Sequence, residues 1–349
     1  MDKIGDFYGS HRVISPKGLL PQAADVINND PEICDNEILI DVIALQPTAT
    51  AFHTLKEKYG DDEEKIKKAI FDIVEKKGKF QDPVTKSGGM LIGVVKKIGK
   101  DIKKNRKLNI GDKIATLVSL SLTPLKIYSI EKINLDTEQV FCHADAVIFE
   151  SGLYTNIPDD LGQELSLAIM DVAGAPAQVA INAKSGDTVC VLGAGKAGLL
   201  SLAEAKKRVA PHGKVICLEY SEKQCKLVKE LNLADYVINV NAQEPQKTYE
   251  KYMEETGGVL ADLTVSTVNV PETELSAILV TKNSGRIYFF TMSTNFVKAS
   301  LGAEGAGKYT TMVLGAGYYP GHDEITYNIV RENDGLRQYF INRYCKNNC

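Results

Sequence analysis

The sequence predicts an α/β fold in two parts: a β-rich domain, then a doubly wound parallel sheet with helices on both faces. Three observations carry that expectation. The chain has 349 residues, and roughly 100–200 residues per domain favours two domains. From Asp187 onward, apolar strand-like runs alternate with helical segments, the pattern of a parallel sheet. One such strand runs directly into a G-x-G-x-x-G turn at Gly193, Gly195 and Gly198, which suits a strand-to-helix junction.

The elements follow in order. Residues 37–45, EILIDVIAL, alternate and are rich in Ile, Leu and Val, so they read as a strand. Residues 55–79 are charge-dense, with Ile66, Ile70, Ile73 and Val74 at helical spacing. They predict one amphipathic helix, and the acidic run Asp61 to Glu64 suits a helix N-terminus. MLIGVVKKIG and NIGDKIATLVSL read as two strands around a Gly-Asp turn, and LKIYSIEKINL and DAVIFES add strand-like material. Residues 163–183 form a helix-like run interrupted by Gly174 and Pro176.

The alternation then begins. TVCVLGAG, KVICLEY, YVINV, DLTVSTV and RIYFFTM read as strands. Helices are expected over Lys196–Val209, Glu222–Asn232, 245–256 and Glu272–Val280. MSTNFVKASLG and TTMVLGAG read as strand-like, flanking Gly302 to Gly307. These readings give a β-rich substrate domain over 1–157, completed by 320–349, and a dinucleotide-binding domain over 158–319. The boundary near Pro158 rests on a shift in composition.

Composition narrows the function classes. A hydrophobic fraction of 44% and a charged fraction of 25% are those of an ordinary globular protein. A formal net charge of -4 gives no electrostatic case for nucleic acid or an anionic membrane. With no N-terminal apolar run and no apolar stretch of about 18 residues, a cytoplasmic protein is expected. None of the seven cysteines forms a C-x-x-C pair, so a thiolate zinc knuckle is unsupported. The internal ones are expected as small buried hydrophobes. Cys345 and Cys349 sit in a polar tail and are expected as free thiols.

The glycine-rich turn carries the most specific chemistry. Gly193 would make the tight turn, Gly195 would let backbone approach a pyrophosphate, and Gly198 would let the helix pack on the sheet. The helix start, at Lys196 and Ala197, offers amide N–H groups to phosphate. The next strand ends in Glu219, roughly 20 residues on, where an acid binds ribose hydroxyls. Together these make a Rossmann-type dinucleotide site. A carboxylate there repels a 2′-phosphate, so NAD is expected over NADP. Lys196 could touch phosphate or simply face water.

GGMLIGVVKKIGKDI followed by LNIGDKIATL, with Gly88, Gly93, Gly99, Gly111 and Asp112, resembles the conserved barrel segment of the medium-chain dehydrogenase/reductase superfamily. The resemblance covers most of the chain. It implies a GroES-like barrel domain before the Rossmann-type domain, and a homodimer paired through the outer strand of the nucleotide sheet. The helix at 55–79 is an insertion relative to that pattern. Zinc-dependent members carry a Cys, a Gly-His-Glu and a third ligand, which fall here on Thr48, on Gly88-Gly89-Met90, and on Asp171. One carboxylate is short of the three protein ligands of a catalytic zinc. The four-cysteine structural zinc lobe is also absent, with Leu117 to Thr123 in its place. Within the superfamily, the resemblance implies NAD-dependent oxidative deamination of L-erythro-3,5-diaminohexanoate at C3 without zinc.

An amine suits a metal-free site. Zinc helps an alcohol by lowering the pKa of its hydroxyl. A neutral amine already has the lone pair that expels hydride, and it needs a base and a proton path. Asp171, in the apolar run LSLAIMDVAGA, would hold the ammonium and steady the iminium; its plainer reading is a helix-surface acid. The resemblance implies that Thr50 and His53 relay protons, as a hydroxyl and a His do at those offsets in the zinc enzymes. Thr48 would bond the amine or a water, or stabilise a turn. Arg12, His143, His322, Tyr318 and Tyr319 are candidates for the substrate carboxylate, and Ser87 and Gly88 for lining the site. A metal-free quinone or enone reductase and a non-catalytic NADH sensor stay open as alternatives.

Overall fold

A computed structural model describes residues 4–105, 108–315 and 317–345; Cys349 lies outside them. The chain divides into two compact units, Met1–Asp171 with Ile341–Cys349, and Val172–Phe340.

The first unit holds β1 (Val13–Ser15), β2 (Val26–Ile27), β3 (Glu37–Pro47), α1 (Ala49–Tyr59), α2 (Glu63–Lys77), β4 (Gly89–Ile98), α3 (Lys100–Asn105), β5 (Lys113–Thr116), β6 (Leu125–Asn134), β7 (Gln139–Phe149), β8 (Tyr154–Asn156) and α4 (Gly162–Met170). Six strands form an antiparallel sheet in the order β6-β7-β3-β4-β5-β8. Its core gathers Ile38, Ile40, Leu91 and Ile114 from the strands with Phe52, Ile66, Ile70 and Val74 from the helices.

The single helix expected over 55–79 is two. Gly60, at φ 63°, ends α1, a backbone region that favours glycine. Asp62 then caps α2 by accepting the Lys65 amide at 3.2 Å. The acidic run therefore opens a second helix, and Ile66, Ile70 and Val74 form its buried stripe.

The second unit holds α5 (Gly174–Asn182), β9 (Thr188–Leu192), α6 (Lys196–Val209), β10 (Lys214–Glu219), α7 (Glu222–Glu230), β11 (Tyr236–Asn239), α8 (Pro245–Thr256), β12 (Ala261–Ser266), α9 (Glu274–Val280), β13 (Thr281–Phe289), α10 (Phe296–Gly305), β14 (Thr311–Leu314) and α11 (His322–Glu332). α12 (Asp334–Tyr344) spans the second division point. The strands are all parallel, in the order β11-β10-β9-β12-β13-β14. Numbered within the sheet this is 3-2-1-4-5-6, the doubly wound dinucleotide-binding order. Every residue of β9 is buried, as expected for a central parallel strand covered on both faces.

Two readings are corrected. The segment MSTNFVKASLG, read as strand-like, instead enters helix α10 (Phe296–Gly305), which runs on into the Gly-rich segment. The Asn295 side chain accepts the Lys298 amide at 3.0 Å, and Ala299 buries against α9. The division between units falls after Asp171 and not near Pro158, because α4 packs on β4 and β5. At the far end α11 packs on α5 and α6, so the chain rejoins the first unit only at Ile341. No single helix among the described residues is long and apolar enough to cross a membrane.

Candidate active site

In the first unit, antiparallel pairing of β3 with β4 sets Pro47 beside Gly89. The chain leaving β3 and the chain entering β4 therefore run side by side. Thr48 is the N-cap of α1: its Oγ1 accepts the Ala51 amide at 3.3 Å. The same hydroxyl bonds Ser87 Oγ at 2.8 Å and Thr50 Oγ1 at 3.2 Å. Ser87 Oγ in turn bonds Thr85 Oγ1 at 2.7 Å. Thr85 Oγ1 donates to the carboxylate of Asp82 at 3.2 Å. The four hydroxyl residues are half-buried, and Asp82 is buried. Thr48 thus caps a helix and also joins a hydroxyl cluster with Thr50 and Ser87.

Gly89 is more than a missing ligand. Its φ is +110°, and a Cβ there would lie 2.0 Å from the Gln46 carbonyl oxygen and 2.7 Å from Pro47 Cα. Real Cβ contacts are far longer, so no side chain, histidine included, fits this backbone. Gly88 is similarly pressed: a Cβ would stand 2.4 Å from the Ser121 amide nitrogen. Beneath it, Ser119 Oγ bonds Ser121 Oγ at 2.7 Å, and Ser121 Oγ donates to the Gln22 side chain at 2.5 Å. Lys79 holds that Gln22 segment from within. It is fully buried and donates to the carbonyls of Pro21 and Gln22 at 2.6 and 3.2 Å. Burial, helped by the nearby Lys77 charge, lowers its pKa to about 8.

The other sequence candidates disperse. Asp171 is half-buried at the C-terminal cap of α4, after the buried run Leu165–Met170. His53 is 72% exposed on α1, and its Nε2 lies 3.1 Å from Glu57 one turn on. The structure therefore does not join His53 to the Thr50 hydroxyl. Arg12 is buried and forks onto Glu37 with two contacts of 2.7 Å. It also donates to the carbonyls of Asn28, Asp30 and Glu32, so it is a structural pin and not a substrate clamp. His143 is exposed on β7 beside Tyr128. His322 is buried at the start of α11, and Tyr318 and Tyr319 are exposed.

Among the described residues, His11, Cys34 and Glu37 bring three atoms of metal-ligand type within 4.8 Å of one another. Both Glu37 oxygens, however, already face Arg12. Burial pushes the Glu37 carboxyl up, but the Arg12 fork, the His11 ring and the Cys34 amide more than offset this and hold its pKa at about 2. The guanidinium is the resident cation of this group.

In the second unit the glycine turn does what its spacing requires. Gly193 has φ +89°, and a Cβ on Gly198 would fall 1.9 Å from the Gly193 carbonyl oxygen. A Cβ on Gly195 would meet nothing within 4 Å. That open face lies at the N-cap of α6, where the first N–H groups lack intrahelical acceptors. Lys196 is half-buried and Ala197 buried as the helix begins. Glu219, at the end of β10, accepts the Ala194 amide at 2.6 Å and the Ser221 amide at 2.7 Å. Its carboxylate therefore stands at the glycine turn and braces it. The residues present fit a dinucleotide: tight turn, open N-terminal helix face and an acid for ribose. Thr267, missed in the sequence, ties β12 to the turn by donating to Leu192 and Gly193 carbonyls at 2.9 and 3.1 Å. Asp82 and Thr85 were also missed, although DPVT is the kind of stretch that forms an Asx turn.

The comparisons with known proteins agree with this architecture. Residues 11–158 match the family model described as L-erythro-3,5-diaminohexanoate dehydrogenase N-terminal domain. The L-erythro-3,5-diaminohexanoate dehydrogenase of Acetoanaerobium sticklandii is 49% identical over 338 residues, 97% of this chain and 98% of its own. The enzyme of the same name from Fusobacterium nucleatum is 48% identical over 343 residues, 98% of this chain and 99% of its own. Among solved structures, a mycobacterial quinone oxidoreductase superposes with a TM-score of 0.55 at 16% identity, covering 92% of this chain and 86% of its own. That likeness bears out the fold expected from the medium-chain dehydrogenase/reductase resemblance. By sequence along nearly its whole length, the chain belongs to the L-erythro-3,5-diaminohexanoate dehydrogenase family.

Proposed function

We propose that this chain is an NAD-dependent dehydrogenase that oxidises L-erythro-3,5-diaminohexanoate at C3 to an iminium, which water hydrolyses, giving (S)-5-amino-3-oxohexanoate, ammonium, NADH and a proton without zinc. The observation that carries the reading is the 49% identity over 97% of the chain to a relative of that name. The glycine turn at Gly193, Gly195 and Gly198, with Lys196 and Ala197, would hold the pyrophosphate. Glu219 would take the ribose hydroxyls and disfavour a 2′-phosphate. When bound, NAD supplies the two-electron acceptor for the hydride from C3.

The zinc-free part rests on residue chemistry. Thr48, a side-chain-free Gly89 and Asp171 offer one good ligand where three are needed. Asp171 holds the substrate ammonium and stabilises positive charge as the iminium forms. Thr48 and Thr50 receive the proton that the ammonium must lose before hydride can leave. The same reading makes the protein a cytoplasmic homodimer. β14 is the outer strand of the second unit's sheet and carries exposed Val313 and Leu314, which suits pairing with a second copy.

NADH formation with the diamino acid, with and without chelator, tests the proposal. Turnover untouched by chelator is expected, and Asp171→Asn should lower kcat by about 10²–10³. No turnover with the diamino acid, or loss of turnover on chelation that zinc restores, would overturn it.

A further inference from the structure

We infer that Asp82 is the proton acceptor at the inner end of a hydroxyl wire, Thr50–Thr48–Ser87–Thr85–Asp82, that drains the substrate ammonium. The inference rests on the deaminase reading above and goes beyond it by naming where the proton goes.

The hydrogen-bond directions carry it. An ionised carboxylate can only accept, so Thr85 must donate its hydroxyl proton to Asp82, at 3.2 Å. With that proton committed, Ser87 must donate to Thr85, at 2.7 Å. Thr48 must then donate to Ser87, at 2.8 Å. Thr48 accepts from the Ala51 amide and is left to accept from Thr50, at 3.2 Å. Every proton in the row therefore points toward Asp82, and Thr50 at the outer end has oxygen lone pairs to offer.

The carboxylate is buried. Its hydrogen-bond partners among the described residues are all neutral: the Val84 and Thr85 amides at 3.2 and 3.1 Å, and the Thr85 hydroxyl. The Lys77 charge of α2 is coupled to it, and Lys86, Asp25 and Lys76 act on that same lysine; Lys86 also closes the turn by donating its backbone amide to the Asp82 carbonyl at 3.0 Å. Asp82 is the one carboxylate in this cluster, and so the one member that can take up a proton and become neutral.

The step balances. The C3 ammonium gives one N–H proton to the outer hydroxyl. Each hydroxyl passes its own proton inward and receives one from outside. Asp82 ends as the neutral acid, and the amine ends with its lone pair. Three protein oxygens separate the carboxylate from Thr50, so Asp82 acts through the hydroxyls and does not touch substrate.

The test is Asp82→Asn, which keeps an oxygen for the two amides and for Thr85 but cannot take the proton. NADH formation with the diamino acid is measured across pH for wild type, Asp82→Asn, Ser87→Ala and the double variant, with thermal unfolding as a fold check. Asp82→Asn should lower kcat by about 10²–10³ at unchanged Tm, and the acid limb of the kcat profile should vanish. Ser87→Ala added to it should cost nothing further, as expected for members of one unit. A folded Asp82→Asn enzyme with wild-type kcat and an intact acid limb overturns the wire and leaves the deaminase reading standing. A wild-type protein that forms no NADH from the diamino acid overturns both.

Discussion

Replacing Gly195 by alanine adds a methyl group where a Cβ meets no atom within 4 Å. The backbone there is extended, at φ -72° and ψ -166°, so alanine adopts it without strain. Two small terms then oppose. Lower entropy of the unfolded chain stabilises by about 0.4–1 kcal/mol, while alanine is a poorer N-cap than glycine by roughly 0.5–1 kcal/mol. The protein alone should keep its Tm within about 3 °C. Cofactor binding should not be spared. The methyl projects from the open face where, in the proposed reading, amide N–H groups would meet phosphate. Loss of one charge-assisted hydrogen bond costs about 1.5–3 kcal/mol, so NADH should bind about 10- to 150-fold more weakly.

Gly198→Ala reverses the pattern. Its Cβ would lie 1.9 Å from the Gly193 oxygen and 2.8 Å from the Gly193 carbon. Relief requires the start of α6 to move by more than about 1 Å, and such overpacking costs about 1–3 kcal/mol. For a unit of this size Tm should fall by about 2–12 °C. Thermal unfolding by circular dichroism reads the first quantity. The fluorescence of NADH itself reads the second, because the chain has no tryptophan. Wild-type NADH affinity in Gly195→Ala, or a larger fall in Tm there than in Gly198→Ala, would refute the assignment of the turn.

Three further outcomes are expected. The Lys79 pKa falls from 10.5 to about 8, so the unfolded chain holds that proton where the folded one does not. Stability should therefore rise by about 3 kcal/mol as pH climbs from 8 to 10.5, and urea unfolding of Lys79→Met should lack that component. Arg12→Ala leaves Glu37 buried without its guanidinium and should cost about 3–5 kcal/mol at neutral pH. In wild type the Glu37 contribution is present above pH 4.5 and is lost as pH falls through about 2, so denaturation midpoints of the two proteins should converge in acid. His53→Ala removes only an exposed side-chain contact with Glu57 one turn on. Its kcat should barely change, and a fall of about 10² would put His53 back on the proton path.

Much of the second unit was legible because its signals are local. β9, the glycine turn and α6 follow one another without a gap, and the helix limits Lys196–Val209 were read as observed. Glu219 was found by its offset from the turn. α10 was not, because its helix rests on the Asn295 cap and on packing of Ala299, which the apolar run does not announce. The split between α1 and α2 was hidden by continuous charge density, although Gly60 and Asp62 are ordinary stop and start signals. In the first unit, Thr48 and Thr50 were placed by resemblance, yet their true neighbours come from the other strand. Ser87 lies 39 positions from Thr48, and no spacing rule joins them. Asp82 reads in the sequence as a turn residue, and only its burial and the direction of Thr85's hydrogen bond give it more to do.

The contact between Gly89 and the Gln46 carbonyl also bears on how such a site changes over evolutionary time. In many enzymes a lost ligand can be restored by one substitution, because the backbone still waits in place. Here the Gln46 carbonyl oxygen lies 2.0 Å from where a Cβ of residue 89 would stand. A histidine codon at position 89 would reach the protein long before a geometry able to use it. Protein engineers seeking a metal-dependent alcohol dehydrogenase from this scaffold must first reopen the crossing of β3 and β4. What bars a metal-binding side chain at position 89 is therefore main chain and not the choice of neighbouring side chains.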